Sequence, residues 1–243
     1  MAKPIIHARS CARRFGGSEA EHLPVHQLMD RSKGAAAGSN LHRALTHHGE
    51  FLWMLEAIFG VTFGAGGRDV STRDCGERHL MEDHHGAIPI PGDYWRVLAV
   101  QPWMTAGAAT ETIAAHTQRS VAALGGDPAA HRRVHLLLEY GRPSLPVGVH
   151  RGLTHHSFGV WLVEQAMGET LPGDVATREV CRVHIEHDLG RTVPDPGEWL
   201  EHLTFAAWMS GGRYRPPSAK PLEQHRAARR PARPARPASP TAD

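Results

Sequence analysis

The chain has 243 residues, 41% of them hydrophobic, which suits one large domain or two small ones with a packed core. No apolar run reaches the roughly 18 residues of a membrane helix, and the opening MAKPIIHARSCARRFGG has no h-region of a secretory signal. The net charge of +2 is unevenly placed: eight of the 27 Lys/Arg but only two of the 25 Asp/Glu stand from Arg213 onward, so the basicity belongs to the tail and residues 1–212 are mildly acidic.

Taken in chain order, 24–32 reads as a short helix with Val25, Leu28 and Met29 on one side. Leu41, Leu45, His48, Leu52 and Leu55 recur at i, i+4, i+7, i+11 and i+14, predicting one amphipathic helix that ends near Phe59 and Gly60. Residues 61–63 and 70–72, separated by GAGGRD, predict a small β-hairpin. Helices follow over 73–83 and from Pro91 to about Val100. Trp103 and Met104 are expected to plug the core of this unit.

The same order of features then begins again. The heptad HRALTHH at 42–48 returns as HRGLTHH at 150–156, an offset of 108. At 109, His22 meets His131, His26 meets His135, Asp30 meets Glu139 and Lys33 meets Arg142. At 105, His79 meets His184, Asp83 meets Asp188, and Trp103 with Met104 meets Trp208 with Met209. The offset changes only in Gly/Pro-rich stretches, where length variation is tolerated. The expected fold is mainly α: two tandem copies of a small helical unit, each with one short hairpin, packed as a pseudo-two-fold intramolecular dimer. The expected boundaries are 1–104, 105–212 and a tail, 213–243, whose Pro/Ala/Arg composition predicts disorder. That tail either solubilises the protein or makes weak, salt-sensitive contact with nucleic acid.

Nineteen histidines are far more than ordinary usage supplies, and comparing the copies filters them. His7, His22, His26, His42, His47, His48 and His79 recur; His84, His85, His187 and His202 do not and are expected at the surface. His26 and Asp30 are four apart on one helix face, as are His79 and Asp83. Imidazole nitrogen with carboxylate oxygen suits Zn, Mn or Fe in the divalent state. The candidate metal ligands are therefore His26, Asp30, His47, His79 and Asp83, with His135, Glu139, His155, His184 and Asp188 in the second copy. Arg43, Arg73, Arg151 and Arg178 recur and either hold an anionic ligand or neutralise nearby acids. The bland reading has equal standing: an i,i+4 His/Asp pair is a routine helix contact of a few tenths of a kcal/mol, roughly, and His48 on a leucine stripe is a core histidine. The three cysteines, Cys11, Cys75 and Cys181, are odd in number, lack CxxC spacing and do not recur between copies. They fit a reduced, cytoplasmic setting and speak against ligand roles.

The blocks HARSCARRFGG, LPVHQLMDRSK, HRALTHH, GERHLMED and PWM resemble a family of small bacterial and phage proteins of unknown function, whose members show an HRAL-x-H block followed by a G-E-Q-H block. The second copy lacks the Gly-Glu of that block, so any role of Glu77 would be confined to the first. The resemblance implies the unit boundaries and no reaction. Two functional expectations remain. One is a divalent-metal protein, with metal-activated water attacking a phosphoester as the chemistry if it is an enzyme; His187 and Asp188 make the single His-Asp dipeptide of HD-type phosphohydrolases. The other is a non-enzymatic interaction module with hydrogen-bonded core histidines. The partner is a small molecule or a protein, and no membrane is expected.

Overall fold

In the computed structural model, residues 3–35, 40–106, 111–210 and 215–218 are described. Helix α1 (Pro4–Phe15) opens the first repeat, with Pro4 at the first helical position, and ends at Gly16. Helix α2 spans Glu19–Asp30. It starts five residues before the sequence expectation because Ser18 and Glu21 form a capping box. Pro24 then falls inside the helix, where it removes one backbone hydrogen bond.

The long helix expected over 41–55 is two. Helix α3 (Arg43–Thr46) is one turn, and α4 (Phe51–Phe59) starts afresh after His47 leaves helical geometry at φ −103°, ψ 53°. The leucine periodicity runs straight across this break because both pieces bury the same side. His48 accepts a hydrogen bond from the backbone N–H of Phe51 through Nδ1, and His156 does so from Gly159, so the second histidine of each heptad caps the helix that follows it. Strands β1 (Thr62–Ala65) and β2 (Arg68–Ser71) form the hairpin, with Gly66 and Gly67 at positive φ in the two-residue turn. Helix α5 covers Thr72–Asp83, and α6 is only Pro91–Trp95, not the longer helix expected to Val100.

The second repeat follows the same plan with α7 (Ile113–Leu124), α8 (Pro128–Leu138), a 3-10 turn over Val149–Leu153, α9 (Ser157–Met167), β3 (Thr170–Leu171), β4 (Val175–Ala176), α10 (Thr177–Leu189) and α11 (Pro196–Leu200). The protein is a mainly helical tandem repeat. Among the described residues no helix is long and apolar enough to cross a membrane. Most of the expected tail lies outside the described residues; of 215–218, Ser218 donates its N–H to Asp93 Oδ1 at 2.9 Å.

The closing Trp-Met pairs do not plug their own units. Trp103 packs edge-on against Trp199 at 4.8 Å and beneath the Arg191 guanidinium, both in the second repeat. Trp208 packs 4.7 Å from Tyr94 in the first. The two repeats thus exchange their ends, and one apolar cluster runs through both, uniting Ala44, Leu45, Tyr94 and Trp95 with Leu153, Ile185, Trp199 and Met209.

This interface accounts for the one letter that separates the heptads. Trp95 donates its indole N–H to the Ala44 carbonyl, and its ring lies against Gly152, where an added Cβ would meet ring atoms at 2.2, 2.5 and 2.9 Å. At the 105-residue offset Trp95 corresponds to Leu200, a smaller side chain, and the first heptad keeps Ala44. Gly152→Ala is expected to overpack this contact at a cost of about 1–3 kcal/mol. That is a melting temperature several degrees lower, at roughly 2–4 °C per kcal/mol for a domain of this size. Adding Trp95→Leu should recover much of the loss, and a wild-type melt for Gly152→Ala would refute the contact.

Burial also sets the acid limit of the fold. His48 and His156 are pushed down to about 3 and His84 to about 4, in each case chiefly by burial. His84, expected at the surface, is buried under Trp208 and its Nε2 lies 3.3 Å from the Tyr94 hydroxyl. These imidazoles are neutral in the folded state and titrate near 6.5, roughly, in the unfolded chain. Their stabilisation is complete above that value and is lost as pH falls toward 3–4. Thermal melts of chelator-treated protein should therefore drop steeply between pH 6.5 and 4; a melting temperature flat across that window would contradict the neutral, buried assignment.

Candidate metal centre

Each repeat builds a polar centre from three helices and the heptad. In the first, α1 supplies His7, α2 supplies His26 and Asp30, the heptad supplies His42, Arg43 and His47, and α5 supplies His79 and Asp83; each is no more than 7% exposed. The break after α3 turns the His47 ring inward, and the Tyr94 hydroxyl fixes the bend by donating to the His47 carbonyl at 3.1 Å. The Trp199 indole does the same to His155 at 3.2 Å.

At the middle of the second centre, His155 Nε2 and His184 Nε2 stand 3.2 Å apart. Glu139 Oε1 is 3.5 and 3.2 Å from these two nitrogens, and Asp188 Oδ2 is 3.3 and 3.5 Å from them. The first centre repeats the pattern more loosely. His47 Nε2 and His79 Nε2 are 3.3 Å apart, Asp30 Oδ1 lies at 3.5 and 3.9 Å, and Asp83 Oδ2 at 3.5 and 3.9 Å. Four donors on a tetrahedral ion with bonds of about 2.1 Å sit about 3.4 Å apart. Glu139, His155, His184 and Asp188 all place a donor atom within 4.8 Å of one another, as do the triads Asp30/His47/His79 and His7/His79/Asp83, so these groups could hold a metal ion.

The hydrogen bonds behind the donors orient them. Thr46 gives its hydroxyl proton to the Met29 carbonyl at 2.8 Å, so its oxygen accepts from His47 Nδ1 at 2.9 Å, which leaves the His47 Nε2 lone pair facing the centre. Thr154 does the same between Leu138 and His155. His79 Nδ1 lies 3.1 Å from His26 Nδ1, and His184 Nδ1 lies 2.9 Å from His135 Nδ1. His26 and His135 thus stand behind α5 and α10 histidines and do not reach the donor set, although sequence spacing places them among the ligands. Lys33 pairs with the outer oxygen of Asp30 at 2.6 Å, and Arg142 with Glu139 at 3.5 Å.

Charge is balanced within the centre. Arg43 binds Asp83 Oδ2 at 2.7 Å and Arg151 binds Asp188 Oδ2 at 3.0 Å, both guanidinium groups fully buried. Burial works to raise the Asp83 and Asp188 carboxyls, but hydrogen bonds from His7 in one case and His155 in the other, with the surrounding imidazoles, hold both well below the usual carboxylate range. Burial drives His79 well below the ordinary imidazole value. His184 is equally buried, yet its hydrogen bonds to the closer Asp188 and Glu139 outweigh that and hold it above the ordinary value. The tighter second centre explains the contrast.

Of the residues expected from sequence, Asp30, His47, His79 and Asp83 meet in one centre and Glu139, His155, His184 and Asp188 in the other, each joined by its heptad arginine. Arg73 and Arg178 do not join them. They pair with Glu56 (2.9 and 2.7 Å) and Glu164 (2.8 Å) on the α4–α5 and α9–α10 faces. His187, half of the His-Asp dipeptide, turns to Glu111 at 2.9 Å, so only Asp188 of that pair enters. Glu77 is in neither donor set. Sequence reasoning gave His7 and His116 no role; they stack on His79 and His184 at 4.0 and 3.9 Å, with Nε2 3.4 and 3.5 Å from Asp83 and Asp188. Their recurrence between copies was the available signal. Cys11 and Cys75, set aside for want of counterparts, also come together in the first repeat, with His22.

No curated protein and no solved structure matches the chain. A family model, described as a domain of unknown function, DUF6915, matches it twice, over residues 2–104 and 111–209, so that each match holds one complete His/carboxylate centre. The chain therefore belongs to the DUF6915 family and carries two copies of its domain in tandem.

Proposed function

We propose that each repeat binds one divalent metal ion between two imidazoles and two carboxylates, His47, His79, Asp30 and Asp83 in the first and His155, His184, Glu139 and Asp188 in the second. One observation carries this reading: the Nε2 lone pair of His47, whose Nδ1–H is given to Thr46, points at carboxylate oxygens of Asp30 and Asp83, each 3.5 Å away, among buried side chains. Lone pair against carboxylate is repulsive, and a divalent cation among them turns every one of these contacts favourable. The alternative, a chain of neutral histidines passing one proton each from His26 to His79 to His47 to Thr46, satisfies the imidazoles but leaves both carboxylates facing the acceptor nitrogen of His47. A set of two nitrogens and two oxygens favours Zn over Mn or Fe. The free cysteines fit a reducing compartment, and the reading places the protein in the cytoplasm.

Four protein donors around one ion make a closed centre, whose role is to hold helices together; a hydrolytic centre keeps a position for water. The first repeat favours a second reading on one observation. Asp30 borders a groove of about 970 Å³ between the repeats, lined also by Arg31, Lys33, Ser157, Phe158 and Trp161. A carboxylate at the edge of such a groove can yield its place, and a bound ion then supplies a water of lowered pKa. Lys33 on the groove wall would meet an anionic product such as a phosphate, with Arg43 behind it holding Asp83.

Elemental analysis of the purified protein tests the first reading. Each His/carboxylate centre should contribute one equivalent of divalent metal, His79→Ala and His184→Ala should each remove one, and chelation should lower the melting temperature. Metal-free protein whose melt ignores chelator would establish the hydrogen-bonded histidine core instead. For the second reading, metal-loaded protein should hydrolyse a simple aryl phosphoester, and Arg43→Ala should cut the rate at least tenfold while Arg151→Ala leaves it within twofold. Equal loss in both variants, or no turnover at all, would leave the centres without a hydrolytic role.

A further inference from the structure

One turn along the same three helices lies a second constellation, present in the first repeat alone. Cys11 stands four residues after His7 on α1, His22 four before His26 on α2, and Cys75 four before His79 on α5. Four residues return a helix to nearly the same face, so the geometry that gathers the first set gathers the second. Cys11, His22 and Cys75 are all fully buried, and Cys11 Sγ, Cys75 Sγ and His22 Nδ1 lie within 4.8 Å of one another.

The imidazole is already oriented. His22 Nε2 donates to the Gly16 carbonyl at 2.7 Å, so Nδ1 carries the lone pair, and it faces Cys75 Sγ at 3.5 Å. A ring nitrogen tied to a main-chain carbonyl is the usual support of a metal-bound histidine. The Cys75 thiol is held below its ordinary value, first by its hydrogen bond with Cys11 and further by His22, against burial; Cys11 is raised by the same partnership. A second signal comes from His26. Its Nε2 is buried and has no hydrogen-bond partner, whereas the equivalent atom of His135 meets Ser120 Oγ at 2.9 Å. Ser120 stands at the position of Cys11. Where His79 Nδ1 donates to His26, as the proposed His/carboxylate centre requires, His26 Nε2 is a buried N–H donor without a partner, and a thiolate at the Cys11 position would be a fitter acceptor than a thiol.

We propose that Cys11, Cys75 and His22 form a separate site for a thiophilic divalent cation of the Zn²⁺ class. Two thiolates neutralise the ion, so a neutral complex is buried, and binding releases two protons per chain as the two S–H groups ionise. The second repeat has Ser120, Val180 and His131 at these positions and cannot make this site. The Cys11/His22/Cys75 geometry stands apart from the His/carboxylate centres, and only the His26 signal rests on the proposed function.

Cadmium titration of the reduced full-length protein under anaerobic conditions is the test, because thiolate-to-cadmium charge transfer in the ultraviolet is silent for nitrogen and oxygen ligands. One thiolate-bound Cd²⁺ per chain is expected, with two protons released. The double variant Cys11→Ser/Cys75→Val carries the residues the second repeat already accommodates, so its fold has precedent in the same chain. It should lose the charge-transfer band entirely and one equivalent of metal, while His79→Ala/His184→Ala should keep the band. Absence of the band at stoichiometric Cd²⁺, an unchanged band in the double variant, or a mass two units low from a Cys11–Cys75 disulfide would each overturn the site.

Discussion

The structure turns on a buried electrostatic constraint. Two imidazole nitrogens and two carboxylates are buried together in each repeat, with nitrogen–nitrogen and nitrogen–oxygen separations of 3.2–3.9 Å over the two centres. An unpaired buried polar group costs several kcal/mol, roughly, and a buried charge more, so such a cluster persists only if something compensates it. Arg43 and Arg151 compensate one carboxylate each, and Lys33 and Arg142 reach the other. The lone pair on His47 Nε2 has no such partner, and it is what a cation would bind. The break in the heptad, the threonine behind His47 and the Tyr94 hydroxyl on its carbonyl serve to keep that lone pair turned inward.

The duplication gains its meaning from the exchanged ends. Arg43 is anchored by the carbonyl of Met209 at 3.0 Å, and Arg151 by that of Ala106 at 2.9 Å. Each buried arginine is thus fixed by a segment from beyond its own unit, and each segment is fixed in turn by a Trp packed on the opposite repeat. A single isolated unit would leave its guanidinium partly unsatisfied and its apolar closing face bare. Two copies on one chain supply both requirements at high effective concentration, without an assembly step.

Much of this was legible in the sequence because it is periodic. The duplication, the helical class, the hairpin and the His79/Asp83 and His184/Asp188 pairs all follow from spacing along one element. What escaped the sequence depends on relations between elements. His26 shares a helix face with Asp30, yet a rise of about 6 Å over four residues separates them, enough to put the imidazole behind His79 instead of beside the carboxylate. The heptad break is invisible because the leucine stripe continues through it. Trp103 and Trp208 carry no mark saying which repeat they cover. Helix α1 buries only His7, Ala8 and Cys11, too little apolar surface to announce itself.

Differences between the copies then show which features the centre tolerates. Asp30 becomes Glu139, and the extra methylene brings the carboxylate from 3.9 to 3.2 Å of the α-helical histidine while its second oxygen gains His150 at 3.1 Å. In the first repeat the equivalent His42 turns away to Ser32, and the outer oxygen of Asp30 is left to Lys33 beside the groove. Burial works against ionisation of Glu139, but hydrogen bonds from His150, His155 and His184 hold it far below the carboxylate range. Asp30 lacks that enclosure. Two imidazoles and two carboxylates therefore make a tight, enclosed centre in one repeat and a looser one, with a single carboxylate at the edge of a groove, in the other, on one and the same helical plan.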